Sequence, residues 1–249
     1  MAKYINNSKF ANWSKTNSCT PRYYDKPKTL FEIRKAIEFC KLNNVKMRIC
    51  GSVTSPSDIT MTDEFLLDTR GLDKIVSVDT TTSKSVLQSG VLLKDFVKTL
   101  SEKYFAAFPT LPSIMEQTIG GLLSTSSHGT GYAISSFSRY VSKMRIVDSN
   151  GELKVLRKDT DLFYAASTGL GLFGVIFDIE LDIEKLFYLK SKQKSVETDF
   201  FYKNMIELAE KNEYFRAWTI PHINKTVIWE AEKIQYRSDL GDIRKFESF

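Results

Sequence analysis

Residues 120–131 read Gly-Gly-Leu-Leu-Ser-Thr-Ser-Ser-His-Gly-Thr-Gly. Glycines at both ends flank a run of hydroxyl residues and His128, the only histidine before position 222. Glycine permits positive φ and a close backbone approach. The stretch can therefore carry only short structure, and the pattern predicts a short helix over 117–125 and a turn over 126–131. A histidine in such a loop is more often a packed, hydrogen-bonded residue than a base, and no second His, Asp or Cys lies nearby to complete a triad. A comparable segment, Gly-Ser-Val-Thr-Ser-Pro-Ser-Asp, occupies 51–58 directly after an apolar run. Small residues there let N–H groups close on an anion, and Ser52, Thr54 and Ser55 add hydroxyls, as in a pyrophosphate nest. The same composition also makes an ordinary surface turn. A third segment, 169–176, contains G-x-G-x-x-G at Gly169, Gly171 and Gly174. It opens a strand rather than a helix, which excludes a Rossmann nucleotide fold.

Around these loops the apolar pattern alternates between helix and strand. Leu30, Ile33, Ala36, Ile37 and Cys40 share one helical face, with Thr29 as cap, so a helix is predicted over 29–42. Strands are predicted at 45–50, 65–68, 74–78 and 85–88, then a helix at 92–103 with Leu93, Phe96, Val97 and Leu100 inward. The Ser-Asn-Gly at 149–151 predicts a hairpin of 140–147 with 153–156. A helix follows at 160–168, then one long strand over 174–186 with Val175, Phe177, Ile179 and Leu181 on one side. Residues 1–20 are polar and read as a loosely held arm. Three lysines in 190–194 mark a boundary between a domain of residues 1–187 and one of 188–249. The second has a helix at 199–211, strands at 214–219 and 225–231, and a polar end from 234 that closes no element.

The 249 residues suffice for a core without staples, and 42% hydrophobic with 26% charged residues excludes a disordered chain, a collagen or a disulfide knot. Lys plus Arg number 35 against 30 Asp plus Glu, a net +5 without a long basic run, so a nucleic-acid partner is not expected. Cys19, Cys40 and Cys50 lack metal-ligand spacing and fit a reduced intracellular chain. No secretory leader, lipid motif or run of about 18–20 apolar residues is seen, so no integral membrane segment is expected and the cytoplasm is the default compartment.

Taken in order, several motifs resemble one family. They are Asn12-Trp13, the loop at 51–58, Leu66-Leu67-Asp68 with Gly71-Leu72, and Gln88-Ser89-Gly90. After these come Gln117-Thr118-Ile119-Gly120-Gly121 running into His128-Gly129-Thr130-Gly131, Leu170-Gly171-Leu172-Phe173-Gly174-Val175-Ile176, and Tyr214-Phe215-Arg216-Ala217-Trp218 with Pro221-His222. The chain resembles the FAD-dependent aldonolactone oxidoreductases (gulonolactone, galactonolactone and arabinonolactone oxidases and dehydrogenases) from about Asn12 to Ala231. The resemblance implies an α+β fold: a two-subdomain PCMH-type FAD-binding domain followed by an incomplete α+β cap. It implies FAD between the subdomains, touching Cys50, Gly51, Ser52, Val53, Thr54, Ser55, Ser113, Thr118, Gly120, Gly121, Ser124, Thr125, His128, Gly129, Gly174, Val175 and Ile176. It also implies a small sugar-lactone or polyol substrate.

The chain departs from that family in three places. Thr54 stands where many members carry a histidine bonded to the flavin, so FAD is expected to be non-covalent. Ser126 stands where relatives often have glycine. A serine forced to positive φ there costs about a kcal/mol or more. Family members also continue well past Phe249, and their catalytic side chains lie mostly in that later part, so no catalytic residue is assigned in this chain. An oxidoreductase is the leading reading. A catalytically incomplete flavin-binding remnant and a partner-binding module, with a separate chain completing the cap, are the rivals.

Overall fold

The structure, a computed structural model, describes residues 4–134 and 136–235. The chain begins with β1 (Phe10–Ala11), β2 (Ser18–Cys19) and β3 (Tyr23–Asp25). It continues through α1 (Leu30–Leu42), β4 (Met47–Cys50) and β5 (Phe65–Asp68). Thr29 caps α1 through a reciprocal pair, its hydroxyl accepting from the Glu32 amide and the Glu32 carboxylate from its own. Ile33, Ala36, Ile37 and Cys40 are the buried face of α1. They join Phe65, Leu67 and Leu72 in one core. The parallel sheet in the order β3–β5–β4 carries that core. Every position of the central strand β5 is buried, as expected of a parallel strand covered on both faces.

A second unit holds β6 (Ile75–Asp79), β7 (Lys84–Gln88), α2 (Leu93–Tyr104), β8 (Ala106–Ala107) and α3 (Ile119–Ser124). It is completed by β9 (Val141–Val147), β10 (Leu153–Arg157), α4 (Asp161–Ser167), β11 (Val175–Asp182) and β12 (Glu184–Lys185). Its antiparallel sheet runs β10–β9–β11–β7–β6. Leu93, Phe96 and Leu100 of α2 meet Ile179 and Leu181 of β11 in a separate core. Between β9 and β10 the Asp148 carboxylate accepts from the amides of Asn150 (2.8 Å) and Glu152 (3.0 Å) and closes the expected hairpin.

The single strand expected over 174–186 is not single. It ends at Asp182, and β12 pairs instead with β8. A register shift between Ile176 and Asp178 also breaks its alternation. Val175 and Ile176 are both buried, one in each core. Asp178 is buried too, held in an ion pair with Arg145.

The third unit contains β13 (Phe187–Glu197), α5 (Thr198–Glu210), β14 (Tyr214–Ile220) and β15 (Lys225–Gln235). Its antiparallel sheet runs β13–β15–β14. The lysines at 190, 192 and 194 are strand residues, not a linker. Lys192 and Lys194 lie 3.2 and 3.0 Å from the Glu230 carboxylate across the sheet. The Tyr214 hydroxyl donates to the Pro109 carbonyl (3.2 Å), and Lys233 donates to Glu184 (2.8 and 2.9 Å), so this unit is tied to the second. The polar end predicted from 234 lies, beyond Gln235, outside the described residues.

The N-terminal segment corrects its sequence reading. It is not a loose arm: Tyr4 and Cys19 are buried, β1 pairs with β2, and Asn12 is 2% exposed. Composition misleads here because the segment is held by long-range hydrogen bonds of its polar groups and by single apolar anchors such as Tyr4 against Phe39 and Phe65, which leave no periodic trace.

Candidate cofactor cleft

Where the first two units meet, the segments after β4, β5 and β7 converge with α3 and the turn before β11. They enclose a cleft of about 770 Å³, open mouth included. Cys50, Gly51, Ser52, Val53, Thr54, Ser55, Thr118, Gly120, Gly121, Ser124, Thr125, Gly174 and Ile176 line it. Ser113, His128, Gly129 and Val175 do not. Ser113 is exposed on its Pro-bounded turn. His128 is exposed, with Nδ1 2.9 Å from the Gly129 carbonyl oxygen. The Gly129 amide donates to Thr110 Oγ1 (3.1 Å), and the Val175 side chain is buried in the core of α1.

The lining also includes Ile49, Ile59, Thr60, Thr69, Ser89, Gln117, Leu170 and Gly171. Ser89 and Gln117 stood inside Gln-Ser-Gly and Gln-Thr-Ile-Gly-Gly, so the sequence held a signal for them. Thr60 and Thr69 had none; the loops around β5 deliver them.

The chemistry of this lining is neutral. Among the described residues no Asp, Glu, Lys, Arg or His lines the cleft. Its one ionisable group, the Cys50 thiol, is pushed up by burial, with the nearby Asp68 carboxylate adding to the effect, and stays protonated. Asp68 is itself fully buried, gripped by Arg70 and by the Tyr24 hydroxyl (2.9 Å). Thr69 Oγ1 donates to the Cys50 carbonyl (3.0 Å), tying the turn after β5 to the end of β4.

Two glycines make the close approaches possible. A Cβ on Gly51 would sit 2.1 Å from Thr118 Oγ1, the hydroxyl that caps α3. Gly174 has φ +129°, and its Cβ would meet the Val147 carbonyl oxygen at 2.3 Å. Other residues are strained. Val53 has φ +55°, a conformation that costs a β-branched residue about 1–3 kcal/mol. Ser126 has φ +52°, so the serine strain foreseen from the sequence is present.

The lining fits a large polar cofactor. Ser52 Oγ, Thr60 Oγ1, Ser89 Oγ and Gln117 Oε1 are buried there without a hydrogen-bond partner among the described residues. The amides of Ser52, Val53, Thr54 and Ser55 donate to no protein acceptor among the described residues. Buried polar groups in such number normally have partners, so a ligand rich in donors and acceptors matches them.

Fold and cleft together define a cofactor-binding α+β domain built of two subdomains. The chain belongs to the FAD binding domain family, whose model matches residues 21–157. A second family model, D-arabinono-1,4-lactone oxidase, matches residues 179–246. D-arabinono-1,4-lactone oxidase of Candida glabrata is 29% identical over 230 residues, covering 90% of this chain and 44% of that protein. L-gulonolactone oxidase of Bos taurus is 28% identical over 225 residues, 89% of this chain and 51% of that one. The chain thus spans about half the length of the curated relatives it matches. In fold it is similar to the crystal structure of cholesterol oxidase from B. sterolicum (TM-score 0.75, 15% identity, 92% of this chain and 48% of that one). No helix among the described residues is long and apolar enough to cross a membrane, and none of their His, Cys, Asp and Glu side chains cluster as metal ligands.

Proposed function

We propose that this chain forms the FAD-holding part of an oxidoreductase that oxidises a CH–OH group of a sugar-derived aldonolactone or related polyol. The observation that carries this reading is the neutral cleft with its four unpartnered polar atoms and uncommitted amides. FAD, when bound, supplies the hydride acceptor. The amides of residues 52–55 would meet the pyrophosphate charge, since no cationic side chain is there to do so. Ser52, Thr60, Ser89 and Gln117 would complete the polar contacts, and the uncharged wall around them would hold water out. Thr54 has no ring nitrogen to bond to a flavin, so FAD is held without a covalent link. The lactone class rests on the names of the relatives and on the model matched by 179–246.

In this reading residues 1–187 hold the cofactor and 188–249 begin the substrate-facing cap. The exposed Phe200, Ile206 and Trp218 support a covering segment there, from this chain or a separate one. Three buried, unpaired cysteines support a reducing compartment, the cytoplasm. A second reading, a flavin-binding chain without turnover, is favoured by the absence of any acid–base side chain from the described lining. Anaerobic addition of D-arabinono- or L-gulono-1,4-lactone to the FAD-loaded chain separates them. Bleaching of the visible flavin band supports the oxidoreductase, and an unchanged spectrum with FAD still bound overturns it in favour of the second reading.

A further inference from the structure

The loop at 51–56 is held from outside the cleft by the N-terminal segment. Asn12 is buried, and its Nδ2 reaches the carbonyl oxygens of Ser55 (3.1 Å) and Pro56 (3.0 Å). The Trp13 amide donates to the Val53 carbonyl (2.9 Å). Thr16 Oγ1 and Asn17 Nδ2 add two more donors to the Pro56 oxygen, at 3.0 and 2.9 Å. Asn12 also shapes the segment that makes these bonds. Its Oδ1 accepts from the Asn17 amide (3.1 Å), its carbonyl accepts from Lys15, and its amide donates to the Asn17 carbonyl.

The carbonyls of Val53, Ser55 and Pro56 are therefore all engaged by the arm, whereas the amides of residues 52–55 engage no acceptor among the described residues. A peptide unit carries the C=O of one residue opposite the N–H of the next, so holding the Val53 carbonyl orients the Thr54 amide, while the bonds to Ser55 and Pro56 anchor the far end of the loop. Val53 sits in the left-handed region, which a β-branched residue leaves unless its surroundings hold it. The only hydrogen bond recorded to Val53 among the described residues is the one from Trp13. The arm is thus what keeps this loop in its strained form.

We propose that Asn12 is a cofactor-positioning residue: by holding the carbonyls of Ser55 and Pro56, and by shaping the segment whose Trp13 amide holds that of Val53, it sets the loop, and with it the Thr54 amide, for the pyrophosphate. This rests on the FAD-binding reading above. Asn12 is not itself among the residues that line the cleft and acts through the loop, by way of Ser55 and Pro56.

The test compares the full chain with Asn12→Ala and with Asn12→Ala/Val53→Gly. FAD affinity is read by titration, and protection of the Trp13 amide by hydrogen exchange without FAD. Asn12→Ala should weaken FAD binding about tenfold or more and lose Trp13 protection. Glycine adopts positive φ freely. The double variant should therefore recover most of the affinity without recovering the protection, which a merely structural loss in the arm would not allow. Unchanged affinity in Asn12→Ala, or no recovery in the double variant, overturns the proposal while leaving FAD binding standing. A parent chain that takes up no FAD overturns both.

Discussion

The two ends of the molecule are stabilised in different ways. Residues up to Ile183 supply both large apolar cores, one under α1 and one under α2 and α3. The sheet of β13, β14 and β15 contributes to neither. It is held by its ladder, by α5, and by charged pairs such as Lys194–Glu230, and it leaves Trp218, Ile220, Phe200 and Ile206 partly exposed. The whole described lining of the cleft belongs to the first part. Cofactor binding and the third sheet should therefore be separable. A change in the first part should damage binding and stability together, whereas a change in the third should leave binding alone.

The largest effect is expected at Gly174→Ala. A Cβ there meets the Val147 backbone at a φ that alanine avoids, and the loss should be about 3 kcal/mol or more, read as a fall in thermal stability with loss of FAD uptake. Gly51→Ala presses instead on the Thr118 side chain. It should cost about 1–3 kcal/mol of stability, with FAD affinity falling about a hundredfold, or ~2.7 kcal/mol. If Gly51→Ala binds normally, the loop is not part of the site and the division fails at its centre.

Glu230→Gln tests the other side of the comparison. Burial pushes the Glu230 carboxyl up, but Lys194 and Lys192 together outweigh it and hold it below the usual range. A depressed carboxyl contributes stability that is complete above the unfolded value, about 4.3, and is lost as pH falls through the lower folded value. Acidification should loosen the third sheet in the parent, seen in tryptophan fluorescence from Trp218 and Trp229. The variant should lack that acid limb and bind FAD as before. The smallest effect belongs to His128→Ala. Its ring is exposed and outside the cleft, so FAD affinity should stay within about twofold, under 0.5 kcal/mol.

That contrast also marks what could be read from the residues alone. The helix at Thr29, the hairpin at 149–151 and the loop after β4 follow from local rules: a capping box, a turn tripeptide, small residues after a strand. Half of the cleft follows from them too. Ser89 and Gln117 lay in motifs noticed for other reasons, because a lone polar side chain carries no mark of being left unpaired. Thr60 and Thr69 arrive through the loops on either side of β5, which tertiary contacts such as the Thr69–Cys50 bond hold in place. Asn12 stood in the Asn-Trp motif, but its hold on the loop was not legible for the opposite reason. Its polar neighbourhood looks like a free tail, and its partners lie more than forty residues away. His128 attracted attention by chemistry, and its ring lies exposed, outside the cleft lining.

The most direct test of the account is FAD titration of the purified chain followed by acid precipitation. The account predicts saturable uptake of FAD to a yellow protein, with all flavin in the supernatant after acid. A chain that takes up no FAD would contradict the assignment of the cleft, and flavin retained in the pellet would contradict the non-covalent site at Thr54.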